Sequence, residues 1–224
     1  MVKRLALLSL LRNIFKTTNS HKNYWKNRKA DFNAIHLQTW NHPHRHLISA
    51  ILKQLSWMSL FEIGCGAGAN LVNIVKSFPG KTLQLGGSDI NEDAIKVAQE
   101  VLKGAVLKVG SGDDVIMSDD SVDIVLTDRM LIYVGPTKIK SYIREIRRLA
   151  RNHVILCEFH SESFYDRIKL KLTSGYNAYN YKRLLEKFGF YNIMAYRLPK
   201  EAWPGDTYPS YIIVAKVPKR KLWK

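Results

Sequence analysis

The stretch Ser59-Leu60-Phe61-Glu62-Ile63-Gly64-Cys65-Gly66-Ala67-Gly68-Ala69-Asn70 constrains what this chain can fold into more than any other. A short apolar run ends in an acid, and glycines alternate behind it. Apolar residues then recur at helical spacing through Leu71, Val72, Ile74, Val75 and Phe78. Strand, glycine turn and helix in that order let a ligand approach a helix N-terminus closely. Glu62, two residues before the first glycine, narrows the choice of ligand. A turn built only for a pyrophosphate gains nothing from a negative charge there, whereas a cationic ligand does. Gly64-x-Gly66-x-x-Ala69 also satisfies the loose dinucleotide pattern, so the glycines alone leave a nicotinamide cofactor open.

The downstream residues agree with the first motif. Residues 82–89 read as a second strand ending in Asp89, 21 positions after Gly68. That is close to the spacing of an acid that accepts hydrogen bonds from ribose hydroxyls. The same acid suits the N-cap of a helix starting near Asn91, and the two roles are compatible. A third strand, 105–110, runs into Gly110-Ser111-Gly112-Asp113-Asp114, and Ser121-Val122-Asp123 opens a fourth.

The motif around Gly64 and the run from Gly110 to Pro136 strongly resemble class I S-adenosylmethionine-dependent methyltransferases. The run Val125-Leu126-Thr127-Asp128-Arg129-Met130-Leu131-Ile132-Tyr133-Val134-Gly135-Pro136 looks most like bacterial methylases of sugar and cell-surface glycan pathways. The resemblance spans about residues 40 to 217. It implies S-adenosylmethionine as cofactor, held by Glu62, Gly64, Cys65, Gly66, Gly68, Asn70, Asp89, Ile90, Ser111, Gly112, Asp113 and Thr127. Ser111 stands where many relatives carry Asp. Asp119 and Asp120 read as a solvated acidic loop.

The element order predicts an α/β fold: a Rossmann-like, doubly wound sheet of seven strands, mostly parallel, ending in an antiparallel hairpin. Strands are expected at 60–64, 82–89, 105–110, 122–127, 153–159, 192–198 and 210–217. Helices are expected at 67–78, 91–102, 137–150 and about 178–188. The last two strands have no helix between them. That argues against a nicotinamide dehydrogenase, whose second half would repeat the strand–helix pattern. The expected organisation is a basic helical cap or lid over 1–40, the methyltransferase domain over 41–218 and a basic tail over 219–224.

Net charge is +16 and is unevenly distributed. Residues 1–61 hold ten Lys and Arg against one acid, and residues 136–224 hold nineteen against seven. The cofactor half, 62–135, holds six against eleven. A cationic cofactor suits the acidic middle. The basic flanks suit an acidic partner, nucleic acid or an anionic membrane surface, or are simply solvated. Leu7, Leu8, Leu10, Leu11, Ile14 and Phe15 gather on one side of a basic helix that can lie on a membrane or pack on its own domain. No apolar run approaches a transmembrane length, and the two cysteines carry neither disulfide nor metal spacing, so a reduced cytoplasmic protein, at most peripheral to a membrane, is expected.

The chemistry follows from the cofactor. The protein need only orient an acceptor and, for a hydroxyl, help remove its proton. Relatives often carry a histidine where Tyr133 stands. His160, after the fifth strand, is the candidate base, against a purely structural role. His36, His42, His44 and His46 are expected mainly on cap and helix surface, with one reaching the site. The first expectation for the reaction is O-methylation of a small-molecule or glycan-linked hydroxyl. The alternatives are RNA or another phosphorylated acceptor and, from another class, an NAD-dependent enzyme or a non-catalytic nucleotide-binding protein.

Overall fold

The computed structural model describes residues 18–203 and 208–219. The amphipathic segment at 7–16 and most of the basic tail lie outside the described residues. Among the described residues, three α-helices precede the sheet: α1 (Thr18–Lys26), α2 (Ala30–Leu37) and α3 (Pro43–Leu52), the last opened by proline at its first position. There follow β1 (Ser59–Ile63), α4 (Ala69–Ser77), β2 (Gln84–Asp89), α5 (Glu92–Val101), β3 (Val106–Val109) and β4 (Val122–Asp128). The chain continues through α6 (Ile139–Leu149), β5 (Ala150–Phe159), α7 (Phe164–Ser174), α8 (Tyr181–Lys187), β6 (Tyr191–Arg197) and β7 (Ser210–Lys216).

The sheet order is β3-β2-β1-β4-β5-β7-β6. The first five strands run parallel, and β7 lies antiparallel between β5 and β6. The expected antiparallel ending is present, and β7 inserts beside β5 rather than extending the edge. An all-parallel dinucleotide sheet has no such strand.

Every residue of β1 is buried, as a central parallel strand requires. Its side chains alternate between two cores. Phe61 and Ile63 join Val125, Ile143, Ile146 and Tyr181 on one face; Leu60 joins Ile48, Leu52, Ile74 and Ile95 on the other. On α6 the stripe Ile139, Ile143, Ile146 and Leu149 is buried, as its spacing predicts. Its charged face also makes contacts: Arg148 pairs with Glu145 and with Asp119, which stays exposed in the acidic loop as expected.

Helix α7 has no counterpart in the sequence reading. Ser163 caps its start by accepting from Asp166 N–H, and Gly175, left-handed at φ 77°, ends it. Only Leu170 of this helix is buried. It lacks the inward apolar stripe that makes a helix legible. Among the described residues no helix is long and apolar enough to cross a membrane.

Candidate active site

In an open α/β sheet, ligands bind beyond the carboxyl ends of the strands where the winding reverses. Here that point lies between β1 and β4. A cavity of about 310 Å³ opens there, between the glycine turn, the ends of β2 and β4, and α1 and α2. His21, Lys22 and Trp25 of α1 form part of its wall.

Gly64, Gly66 and Gly68 all take positive φ, 78°, 53° and 86°. A Cβ on Gly64 would sit 2.4 Å from Met130 Cγ, and one on Gly68 would sit 2.6 Å from Leu102 Cδ1, so both positions need glycine for packing as well as for conformation. A Cβ on Gly66 would meet only the His36 ring, at an ordinary 3.7 Å. It would project toward the cavity that both residues line.

Asp89 braces the turn from β2. One carboxylate oxygen accepts from Gly66 N–H and the other from Asn91 N–H, each at 2.9 Å. Ile90 N–H adds a third backbone donor, and the carboxylate keeps capacity for a further one. Asn91, rather than Asp89, caps α5 through its side chain, and its amide donates to the backbone oxygens of Trp25 and Arg28. The acid at the end of β2 and the loop after α1 are therefore tied through one residue.

A second carboxylate system lies under the turn. Asn70 Nδ2 donates to Glu62 Oε1 at 2.6 Å and to Asp128 Oδ2 at 3.0 Å. Arg45 Nη1 reaches Asp128 Oδ2 at 2.9 Å and Asn70 Oδ1 at 2.7 Å, and His44 Nε2–H donates to the same Asp128 oxygen at 2.8 Å. His44 Nδ1 lies 2.6 Å from His42 Nδ1, and burial lowers the pKa of both rings. Asp128 stays ionised, its pKa held below the usual range by His44 and Arg45 against the effect of burial. Glu62 is the opposite case: burial pushes it up to about 8 in spite of Asn70. Two buried atoms of this pair, Glu62 Oε2 and Asp128 Oδ1, have no hydrogen-bond partner, and both residues line the cavity. An uncompensated buried carboxylate oxygen is costly. Two beside one cavity fit a ligand that brings positive charge and N–H donors, and the Asp89 oxygens fit a sugar diol. The residues thus suit a sulfonium nucleoside carrying an α-ammonium group.

The other end of the cavity is aromatic. The Tyr133 ring lies 5.3 Å from His21, 5.2 Å from Trp25 and 5.6 Å from Tyr176. Burial raises the Tyr133 phenol above its ordinary value, so it is a donor at neutral pH and no base. Arg129 follows β4 in a left-handed conformation (φ 54°), its guanidinium 3.7 Å from the Trp203 ring centroid. A non-glycine residue held there marks a site that fixes its backbone against strain.

Of the residues expected to hold cofactor, Glu62, Gly64, Cys65, Gly66, Asn70, Asp89, Ile90 and Gly112 line the cavity, and so does Tyr133. Gly68, Ser111, Asp113, Thr127 and His160 are not among its lining residues. Gly68 packs under the turn. Ser111 Oγ donates to Asp113 at 2.5 Å and accepts from Lys22 Nζ at 3.3 Å. Thr127 Oγ1 donates to Glu158 Oε1 at 2.8 Å, and that oxygen also accepts from Met130 and Leu131 N–H, so the pair shapes the loop after β4. His160 is buried, its Nδ1 accepting from Tyr181 N–H at 3.1 Å. That geometry serves packing.

His36, one of the four histidines of which one was expected to reach the site, lines the cavity, as does Asp128 from the run at the end of β4; His21, Arg45 and Trp203 also line it and were not singled out from sequence. His21 and Trp25 come from a segment outside the resemblance, and His44 and Arg45 point inward from a helix that read as surface. The one available signal was the cluster His42-Pro43-His44-Arg45-His46, too polar for an ordinary packing helix.

Residues 60–153 match the protein family described as Methyltransferase domain. No curated protein sequence matches the chain. Among solved structures, the chain is similar to a Nostoc punctiforme protein assigned as an O-methyltransferase, at 18% identity and TM-score 0.62. That match covers 80% of this chain and 59% of the other, so the chain spans less than two thirds of that protein's length. The magnesium protoporphyrin IX methyltransferase of Synechocystis, solved with bound S-adenosylmethionine, matches at 17% identity and TM-score 0.60, covering 93% and 95%. A Haemonchus contortus phosphoethanolamine N-methyltransferase, solved with S-adenosylhomocysteine, matches at 17% and TM-score 0.56, covering 76% and 52%. At such identities the likeness establishes the fold.

Proposed function

We propose that this chain, an enzyme of the class I S-adenosylmethionine-dependent methyltransferase type, methylates a hydroxyl of a small-molecule or glycan-linked acceptor. The cofactor, when bound, supplies an activated electrophilic methyl group. In this reading Asp89 accepts hydrogen bonds from the ribose hydroxyls, and Glu62 Oε2 and Asp128 Oδ1 accept from the α-ammonium group. Gly66 leaves room for backbone approach. Asn70, Arg45 and His44 act on the Asp128 carboxylate, fixing where its second oxygen points. The acceptor sits against Tyr133, Trp25 and Tyr176, with the Tyr133 phenol donating to it and the His21 imidazole taking the hydroxyl proton.

The observation that carries the reading is the aromatic end of the cavity, roofed by α1 at Tyr133. Such walls suit one flat or ring-shaped group, including a sugar. The resemblance of residues 125–136 to glycan-pathway methylases supports the same choice. A phosphorylated or otherwise acidic acceptor is the second reading, supported by Lys22 and Arg129 on the cavity wall. Incubating the protein with isotopically labelled methyl donor and fractionated cell extract tests both. The reading expects label in a small-molecule or glycan fraction as a base-stable methyl ether. Label in RNA, or in a base-labile ester or an amine, would overturn it.

A further inference from the structure

We propose that α7 is an interfacial helix that seats the acceptor end of the cavity on an anionic lipid surface. This goes beyond the acceptor chemistry, and only the naming of that end of the cavity rests on the reading above. Ordinary surface helices turn apolar residues inward, but α7 does the reverse. Phe164, Tyr165 and Ile168 are 71%, 72% and 44% exposed. Spaced at i, i+1 and i+4, they share the outward face, which half-buried Leu172 extends by one more turn. Large apolar side chains exposed together in this way mark an interaction surface. The inward side is held by Leu170 and by Arg167, whose guanidinium donates to the backbone oxygens of Ser161 and Glu162. The outward face is thus fixed by the packing of the helix.

Charge selects the occupant. Lys169 is exposed beside the apolar face, and α7 itself carries Arg167, Lys169 and Lys171 against one acid, Asp166. A second copy of the chain would set like charges against each other. An anionic bilayer meets both features, since Phe and Tyr partition into the headgroup boundary and nearby Lys and Arg are attracted to its negative surface. Position agrees with this assignment. Leu170 packs in one cluster with Ile132 and Phe159, against Tyr133 and Tyr176, and those two tyrosines line the cavity. A surface under α7 would therefore lie one layer of side chains from the acceptor compartment.

The test is co-sedimentation of the full chain with vesicles of phosphatidylcholine alone and of phosphatidylcholine mixed equally with phosphatidylglycerol, at low salt. The expected result is binding to the acidic vesicles only, weakened at least about tenfold in the variant Phe164→Ser/Tyr165→Ser/Ile168→Ser. Cofactor affinity by calorimetry should be the same in both proteins, since none of the three residues lines the cavity. Equal vesicle binding by the variant would overturn the proposal, as would absence of binding by the parent. Self-association of the parent, or RNA binding, that the same variant abolishes would assign the face to another partner and overturn it too.

Discussion

The Asp89 carboxylate accepts the backbone N–H of Gly66 at 2.9 Å, so the acid that ends β2 also fixes the glycine turn after β1. Asp89→Ala should therefore do two things. It removes a charge-assisted acceptor for the ribose hydroxyls, weakening cofactor binding by about 1.5–3 kcal/mol. It also releases three backbone donors and lowers the melting temperature of the free protein. Calorimetry and a thermal melt on the same preparation read both effects. An unchanged melt would mean that the turn stands without Asp89.

Asp128 neutralises Arg45 in a buried setting, the two side chains being 4% and 5% exposed. Asp128→Asn leaves the guanidinium without its counter-charge, which typically costs about 3–5 kcal/mol. Adding Arg45→Met should recover part of that loss, because the pair acts as a unit. Denaturant midpoints for the two single variants and the double variant check this. Additive losses would show that Arg45 and Asp128 are not coupled.

His21 and Tyr133 separate chemistry from binding. If the His21 imidazole takes the acceptor proton, His21→Gln should lower kcat by about 100-fold or more while leaving cofactor affinity intact. Tyr133→Phe should mainly raise KM for the acceptor, because a protonated phenol orients rather than deprotonates. His160→Gln should change stability and leave the pH profile of turnover in place. A loss of turnover larger for His160→Gln than for His21→Gln would return the base to β5.

The parts of this molecule legible in its sequence are those whose residues serve their own local structure. Glycines at 64, 66 and 68 betray a left-handed turn, and the alternation of Leu60 and Phe61 betrays a strand buried on both faces. The apolar stripe of α6 is helical on its own evidence. Asp89 and Glu62 stand out in the sequence as charges at strand ends, and the structure places both on the cavity wall. What could not be read depends on long-range placement. His44 reaches Asp128 across 84 positions, His21 reaches Tyr133 across more than 100, and neither spacing leaves a periodic trace. Helix α7 was missed for a different reason: its apolar residues face outward, so its pattern lacks an inward stripe. His160 and Thr127, at the ends of β5 and β4, are not among the lining residues, and their hydrogen bonds go to the Tyr181 N–H and to Glu158.

The proton on Glu62 gives the central claim its most direct measurement. Burial holds this carboxyl at about 8, so at pH 7 it is mostly protonated while the cavity is empty of cation. A positive ligand beside it favours the ionised form and lowers that value, which obliges the protein to release a proton on binding. In the free protein the sign is reversed. The raised carboxyl costs stability as pH climbs from about 4.5 toward 8, so Glu62→Gln should melt higher than the parent by a margin that widens over that range and then levels. Titration of S-adenosylmethionine by calorimetry at pH 7, in two buffers of different ionisation enthalpy, reads the release. The account predicts binding at one site with net proton release in the parent, and roughly tenfold weaker binding without release in Glu62→Gln. Binding of nicotinamide dinucleotide with none of the methyl donor, or donor binding with identical heats in both buffers, would contradict it.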